Sequence, residues 1–462
     1  MNYLTLGYYV LVAFAFLFYY LFPKKQRWIV LLIASIAFYA IADASGLWAL
    51  LWMIVSSFLL ATQVRRSRWL LGSSIAVSVI PFWLHLLAQI VSKSLPGIFL
   101  PMGLSYISLQ IIAYLCDCAK GRIEPDHNLF QYALFLSFFP QVVQGPIPRY
   151  GTLAPQLKEG HTLEEDNVIA GFLKILCGLY LKYLLADRAA VAANTFYQEA
   201  GVYTGIAAWI GASMYLIQLY CDFFACVLLS QGVARLFGIH LDPNFDHPFT
   251  SQSIAEVWRR WHMSLGAFFR DYLYLPLGGS RKGIVRKYIN ITIVFVASAL
   301  WHGVSLTYLA WGLLTALYQV FGGCTRSFRD RLYEQLQIPP GLKKRLRQTF
   351  TAILFMLSSV LFRSYGFHSL LANVSSLVQF HALPQEAGLL GMSILEWILF
   401  LVFFACFVTV QHWNQSHQAE QVFLQKDWGV RYGFYVVMIL LLLVFGTYGF
   451  GYDAQAFIYG AF

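Results

Sequence analysis

Apolar stretches recur along this chain almost from end to end, separated by short polar or glycine- and proline-containing breaks. They cover residues 4–22, 28–64, 69–92, 102–119, 129–145, 167–186, 203–238, 288–321, 350–367, 389–411 and 432–450. The second is broken at Ala42-Asp43-Ala44-Ser45-Gly46 and reads as a hairpin of two spans. Most are close to the ~20 residues a helix needs to cross a ~30 Å hydrocarbon slab. A membrane barrel would instead show ~10-residue segments of strict alternation. Lipid offers backbone polar groups no partner, so spanning segments of this kind must be helices. The pattern predicts an all-α polytopic membrane protein, one domain over residues 1–462, with roughly 11 transmembrane helices.

The breaks carry their own signals. Pro96, Gly97 and Pro101 mark a turn between two runs, and Lys120-Gly121-Arg122 ends the next. Gly145-Pro146-Ile147-Pro148-Arg149 must terminate any regular helix, because proline removes an amide donor and clashes with the preceding turn. Residues 254–283 differ from the apolar runs: Glu256, Arg259, Arg260, His262, Arg270 and Asp271 lie there among several aromatic residues. A charged group at the bilayer centre costs at least ~2.5 kcal/mol on insertion scales, so this stretch predicts an interfacial or re-entrant amphipathic helix. At helical spacing Trp258, Trp261 and Leu265 would share one face, and Arg259 and His262 another. Residues 325–348 read as a hydrophilic loop.

Composition strengthens this picture. Of 462 residues 59% are hydrophobic and 12% charged, about half the charged share of a soluble domain. The net charge of +10 lies in clusters between the runs: Lys24, Lys25 and Arg27; Arg65, Arg66 and Arg68; Arg281, Lys282, Arg286 and Lys287; Lys343, Lys344, Arg345 and Arg347. Retained basic residues of this kind mark cytoplasmic loops in contact with anionic lipid, and they are no sign of nucleic-acid binding. No basic residue precedes the first run and two follow it, so the run reads as a retained span with its N-terminus outside. The seven cysteines have neither zinc nor disulfide spacing, and read as small buried hydrophobes. No internal repeat supports an inverted-repeat transporter.

The sharpest chemical signal is His302, within Ser298-Ala299-Leu300-Trp301-His302-Gly303. A titratable imidazole in an apolar run is costly and points to function. Its ordinary pKa near 6.5 suits a general base for an alcohol; the alternative is a histidine bonded to a neighbouring helix. A second cluster is Trp258-Arg259-Arg260-Trp261-His262-Met263-Ser264-Leu265, followed by Arg270-Asp271. Its arginines suit an anionic donor, or equally an interfacial anchor. Asp222 needs a partner inside its apolar run, and an arginine of residues 259–281 is one candidate. Arg149 is placed to pair with Asp117 or Asp222, while His85 and His247 read as structural.

Together these segments resemble the membrane-bound O-acyltransferase family, and within it the bacterial branch that includes alginate O-acetyltransferase. The resemblance runs through Phe138-Phe139-Pro140-Gln141, Gly145-Pro146-Ile147-Pro148-Arg149, Asn244-Phe245 with Pro248-Phe249, and Trp258 to Leu265. It continues through Arg270-Asp271-Tyr272, Pro276-Leu277-Gly278-Gly279-Ser280-Arg281, Trp301-His302-Gly303 and Phe457-Ile458-Tyr459. It implies a helical fold around a central tunnel that brings a cytoplasmic acyl donor and an extracytoplasmic acceptor to one histidine. By motif, His302 takes the catalytic place and His262 that of the family's second histidine. Trp301, Arg259, Arg260, Trp261, Arg270, Asp271, Arg149 and Asp222 are the expected substrate- or donor-binding residues, with no metal. The Leu-Gly-Gly-Ser-Arg element favours acetyl transfer over the D-alanyl transfer of the teichoic acid branch. After Asp222-Phe223 the chain departs from the family pattern, with Phe224-Ala225-Cys226-Val227-Leu228-Leu229 in place of Gly-Tyr and further polar residues.

The expected function is therefore transfer of an acyl group, acetyl above all, in the bacterial cytoplasmic membrane. The donor would be a thioester, acetyl-coenzyme A or an acyl-carrier protein, with no resident cofactor. The acceptor would be a cell-surface polysaccharide or the serine of an extracytoplasmic SGNH-like acyltransferase partner. D-alanyl transfer to teichoic acid and a non-catalytic transporter remain the alternatives.

Overall fold

A computed structural model describes residues 3–91, 103–364, 366–380 and 390–448. The expected turn at Pro96, Gly97 and Pro101 and the Phe457-Ile458-Tyr459 motif lie outside the described residues. The described chain is helical, with one isolated antiparallel bridge between Phe245 and Trp261. In order the helices are α1 Leu6–Leu21, α2 Arg27–Asp43, α3 Leu47–Leu60, α4 Arg68–Ser78, α5 Ile80–Val91, α6 Leu104–Ala119 and α7 Leu129–Ser137. Then come α8 Tyr150–Glu159, α9 Glu165–Tyr180, α10 Asp187–Gln198, α11 Ile206–Leu236, α12 Ile254–Arg260, α13 Met263–Phe269, α14 Ile284–His302 and α15 Leu306–Cys324. The series ends with α16 Arg326–Gln335, α17 Pro340–Arg363, α18 Phe367–Ser376, α19 Ile394–His417, α20 Ala419–Leu424 and α21 Trp428–Phe445.

The all-α expectation holds, but runs and helices do not correspond one to one. Among the described residues six helical segments are long and apolar enough to cross a membrane, or seven if α4 and α5, bent by 64°, form one span. The shorter apolar helices α1 and α6 fall below that length. Several runs are subdivided for reasons visible in their residues. The run over 129–145 is helical only to Ser137, and the chain then passes without regular helix through Pro140, Pro146 and Pro148. The run over 288–321 breaks at Gly303 into α14 and α15. Residues 325–348 are mostly helical rather than a loop, forming α16 and the start of α17.

Helix α11 is the axis of the molecule. In its most apolar window 78% of residues are buried, against 11% for α21 and 17% for α19. Small residues permit this depth: a Cβ on Gly171 of α9 would lie 2.9 Å from the Gly232 carbonyl oxygen of α11, so only glycine lets the two backbones approach. Between α9 and α10 residues Leu181–Ala186 form a wider π turn. Near the start of the chain Tyr3 donates to the Pro140 carbonyl at 2.8 Å, one of the contacts that satisfy the irregular segment inside the protein.

Candidate active site

His262 sits between two short helices rather than inside one. Residues 254–269 fold as α12 and α13 with Trp261 extended (φ −110°, ψ 129°) and His262 left-handed (φ 47°, ψ 54°). A side chain at positive φ is disfavoured, and such strain clusters where geometry serves function. The conformation is held from outside. The Asp246 amide donates to the Arg260 carbonyl at 2.9 Å, and the Met263 amide to the Asn244 carbonyl at 3.0 Å. Asn244 Oδ1 accepts from the Ser264 amide at 3.0 Å and from Ser264 Oγ at 2.9 Å. Because a backbone amide can only donate, the Asn244 atom there is the oxygen, and His262 Nδ1, 3.3 Å from it, must be the protonated nitrogen. Its Nε2 then carries the lone pair, and that atom is buried with no hydrogen-bond partner among the described residues.

His302 ends α14, and Gly303 (φ 144°, ψ 165°) turns the chain into α15, whose N-cap is Ser305. The two histidines, 40 residues apart in sequence, line one partly open cavity. Its walls are Leu219 from α11, Trp258, Trp261 and Leu265 from the α12–α13 region, Trp311 from α15, and Phe355, Ser358, Ser359 and Phe362 from α17. The His302 ring meets Phe362 edge-on at 5.1 Å and Trp311 at 5.5 Å between centroids. Trp301 lies against both imidazoles, 4.7 Å from His302 and 6.2 Å from His262. Phe223 of α11 packs 4.8 Å from His262 on another side. Among the described residues no carboxylate, lysine or arginine lines this cavity.

The remaining expected residues are placed elsewhere. Arg259 is exposed, on a different side from His262, because the left-handed residue breaks the helical spacing that would have aligned them. Arg260 pairs with Glu256 at 2.9 Å and donates to Thr250 Oγ1 at 3.1 Å. Arg149 pairs with Asp271 at 3.1 Å rather than with Asp117 or Asp222, and stacks 4.4 Å over the Tyr272 ring. Asp117 accepts from the Tyr272 hydroxyl at 2.6 Å and pairs with Arg122 at 3.1 Å. Arg270 also binds Asp271, at 2.8 Å. The Gly145–Arg149 turn is tied to the histidine segment at a second point, where the Ile147 amide donates to Ser264 Oγ at 3.0 Å.

Asp222 is a correction of another kind. Its partner is no arginine of residues 259–281 but Lys182 of the π turn, 2.7 Å away, and Lys182 also holds Asp187 at 2.9 Å. None of residues 224–229, where the chain departs from the family pattern, lines the cavity. Of the cysteines, Cys118, Cys221 and Cys226 are buried as expected, but Cys324 and Cys406 are exposed. Sequence reasoning passed over Ser358, Ser359, Phe362, Trp311 and Lys182. Lys182 alone carried a signal, a cation inside an apolar run.

Comparison with known proteins places this architecture. A profile of the membrane-bound O-acyltransferase family matches residues 34–360, a range that includes both histidines. The chain belongs to the membrane-bound O-acyltransferase family. It is 33% identical over 371 residues to the probable alginate O-acetylase of Pseudomonas fluorescens, covering 76% of this chain and 70% of that one. It is 32% identical over 369 residues to the peptidoglycan O-acetyltransferase of Helicobacter pylori, covering 70% and 69%. It is also 25% identical over 286 residues to the teichoic acid D-alanyltransferase of Bacillus subtilis, covering 57% and 71%. The protein is thus a multi-pass membrane O-acyltransferase, and its described helices bring two histidines to one aromatic-walled cavity.

Proposed function

We propose that this O-acyltransferase, acting as a single membrane domain, moves an acetyl group from a cytoplasmic thioester to a hydroxyl at the outer face of the bacterial cytoplasmic membrane. The acceptor is a cell-surface polysaccharide, reached directly or through the serine of an extracytoplasmic SGNH-like partner. The observation that carries the reading is that one cavity is lined by His302 and by His262, whose Nε2 is buried with no hydrogen-bond partner among the described residues. The donor, acetyl-coenzyme A or an acyl-carrier thioester, approaches from the side of the basic clusters.

In this mechanism His302 takes the proton of the acceptor hydroxyl as its oxygen attacks the thioester carbonyl carbon. The C–O bond forms, the tetrahedral intermediate collapses with loss of the C–S bond, and the imidazolium returns its proton to the departing thiolate. His262 Nε2 accepts a hydrogen bond from the acceptor and so orients it. A thioester is already activated, so positioning and a base supply most of the rate. Trp301 packs against both rings.

The teichoic acid relative keeps D-alanyl transfer as the second reading. A D-alanyl group carries an ammonium, whose burial requires a countercharge or several acceptors. Among the described residues the cavity wall offers two serine hydroxyls and no carboxylate, which favours the uncharged acetyl group. Ester analysis of the cell envelope from parent, deletion and His302→Ala strains at matched protein levels tests the choice. Loss of ester-linked acetate in both mutant strains is expected. Loss of ester-linked D-alanine instead would transfer the assignment to the second reading, and unchanged esters would overturn both.

A further inference from the structure

The turn that carries His302 is fastened by a helix from the other end of the sequence. Val304, two residues beyond His302, precedes α15, and its amide donates to Gln89 Oε1 of α5 at 2.9 Å. A Cβ on Gly303 would lie 3.3 Å from the same Gln89 oxygen and 3.1 Å from Tyr308, so the side-chain amide sits against the turn itself. Gln89 Nε2 lies 2.9 Å from His85 Nε2, one helical turn earlier on the same face of α5. The hydrogen-bond roles follow from this chain of contacts. The Val304 N–H can only donate, so Gln89 presents its oxygen there and must turn its NH₂ toward His85. His85 Nε2 therefore accepts, and its ring orients the Gln89 amide. On the opposite side the Trp301 indole N–H donates to the Ser105 carbonyl of α6 at 3.3 Å. The Trp301-His302-Gly303-Val304 turn is thus pinned at both ends by side-chain hydrogen bonds, to two helices that contribute nothing to the cavity wall.

We infer that Gln89, oriented by His85, is a positioning residue for acyl transfer. It holds the α14–α15 turn so that the His302 imidazole points into the cavity. Gln89 is not among the residues that line the cavity, and its contribution passes through the Val304 amide and Gly303. Displacing a reacting group by ~1 Å costs as much as ~10²-fold in rate. The inference rests on the assignment of His302 as the base.

The test uses membranes containing the full-length protein, with radiolabelled acetyl-coenzyme A as probe and incorporation into envelope ester as readout. Gln89→Leu removes the acceptor for Val304 and is expected to lower turnover about 10- to 100-fold, with KM for acetyl-coenzyme A within about threefold of the parent. Gln89→Glu keeps an oxygen at the same place and should restore turnover to within about threefold of the parent, which a loss of mere bulk would not do. His85→Ala leaves the amide free to choose its orientation, so its loss should be the smaller, about two- to fivefold. Gln89→Met serves in place of the leucine variant should that fail to accumulate. Parent-like turnover in Gln89→Leu, or equal loss in Gln89→Leu and Gln89→Glu, overturns the positioning role. His302→Ala is measured alongside. If it keeps the parent rate, the base assignment fails; if it is inactive beside a parent-like Gln89→Leu, only the positioning role fails.

Discussion

Lys182, Asp187 and Asp222 are as deeply buried as His262 and His302, yet the protein handles the two groups in opposite ways. The lysine meets both carboxylates within 2.9 Å. Arg188, beside Asp187, donates to the carbonyls of Tyr183, Leu184 and Phe445. Two cations and two anions are thereby gathered where α9, α10 and α11 meet. Among the described residues the histidines line a cavity without a countercharge, and the Nε2 lone pair of His262 has no hydrogen-bond partner there. Burial that serves the fold matches each charge, because a stranded ion in low dielectric costs several kcal/mol. On the proposed mechanism, burial that serves a reaction leaves a basic atom for the substrate and limits water around it. The two regions share α11, whose Leu219 lines the cavity one turn before Asp222 and whose Phe223 packs on His262.

That contrast can be broken at either end. The largest effect is expected at His302. His302→Ala should lower acyl transfer by about 10²- to 10⁴-fold, the range for a general base, with unchanged protein level and melting temperature. A parallel loss of stability would instead place this residue with the fold-supporting group. Next comes Lys182→Met, which removes the cation shared by Asp187 and Asp222 and should cost about 3–5 kcal/mol of stability. Thermal unfolding in detergent measures it. Adding Asp222→Asn should recover part of that loss, and strict additivity of the two changes would argue against a coupled ion group.

His262→Gln removes the Nε2 lone pair from its place and should reduce transfer by about a hundredfold. Steady-state rates decide this, with circular dichroism as the check that the helices remain. Asn244→Leu should reproduce part of the defect by freeing the imidazole. The smallest effect is expected at Arg149. Its ion pair with Asp271 is about one-quarter exposed on each side, so Arg149→Lys should change stability by no more than ~1 kcal/mol. A drop in transfer above tenfold there would give this arginine a part in donor binding beyond its ion pair.

Much of the fold was legible in the chain because the bilayer leaves few choices. Long apolar runs in lipid become helices, and an imidazole inside one of them stands out against its surroundings. His302 and the Trp258–Leu265 block were therefore readable one residue at a time. The helical spacing assumed across residues 254–283 failed at His262, since a non-glycine residue in the left-handed region has no local signature. It is imposed by Asn244, 18 residues earlier. Ser358, Ser359, Phe355 and Phe362 look like any apolar helix until α17 is set against α15 and the α12–α13 break.

Lys182 and Asp187 show the same limit in its simplest form. Five residues apart on an α-helix they would point about 140° away from each other. The π turn over Leu181–Ala186 closes with the Asp187 amide donating to the Lys182 carbonyl, which brings both side chains to one face to meet Asp222. Residue chemistry by itself determined that this protein crosses a membrane by helices and that a histidine inside an apolar run stands out as a candidate for chemistry. Only the tertiary structure decided which charges neutralise one another and which polar atoms stay open, because ion pairs and cavity walls are made between segments far apart in the chain.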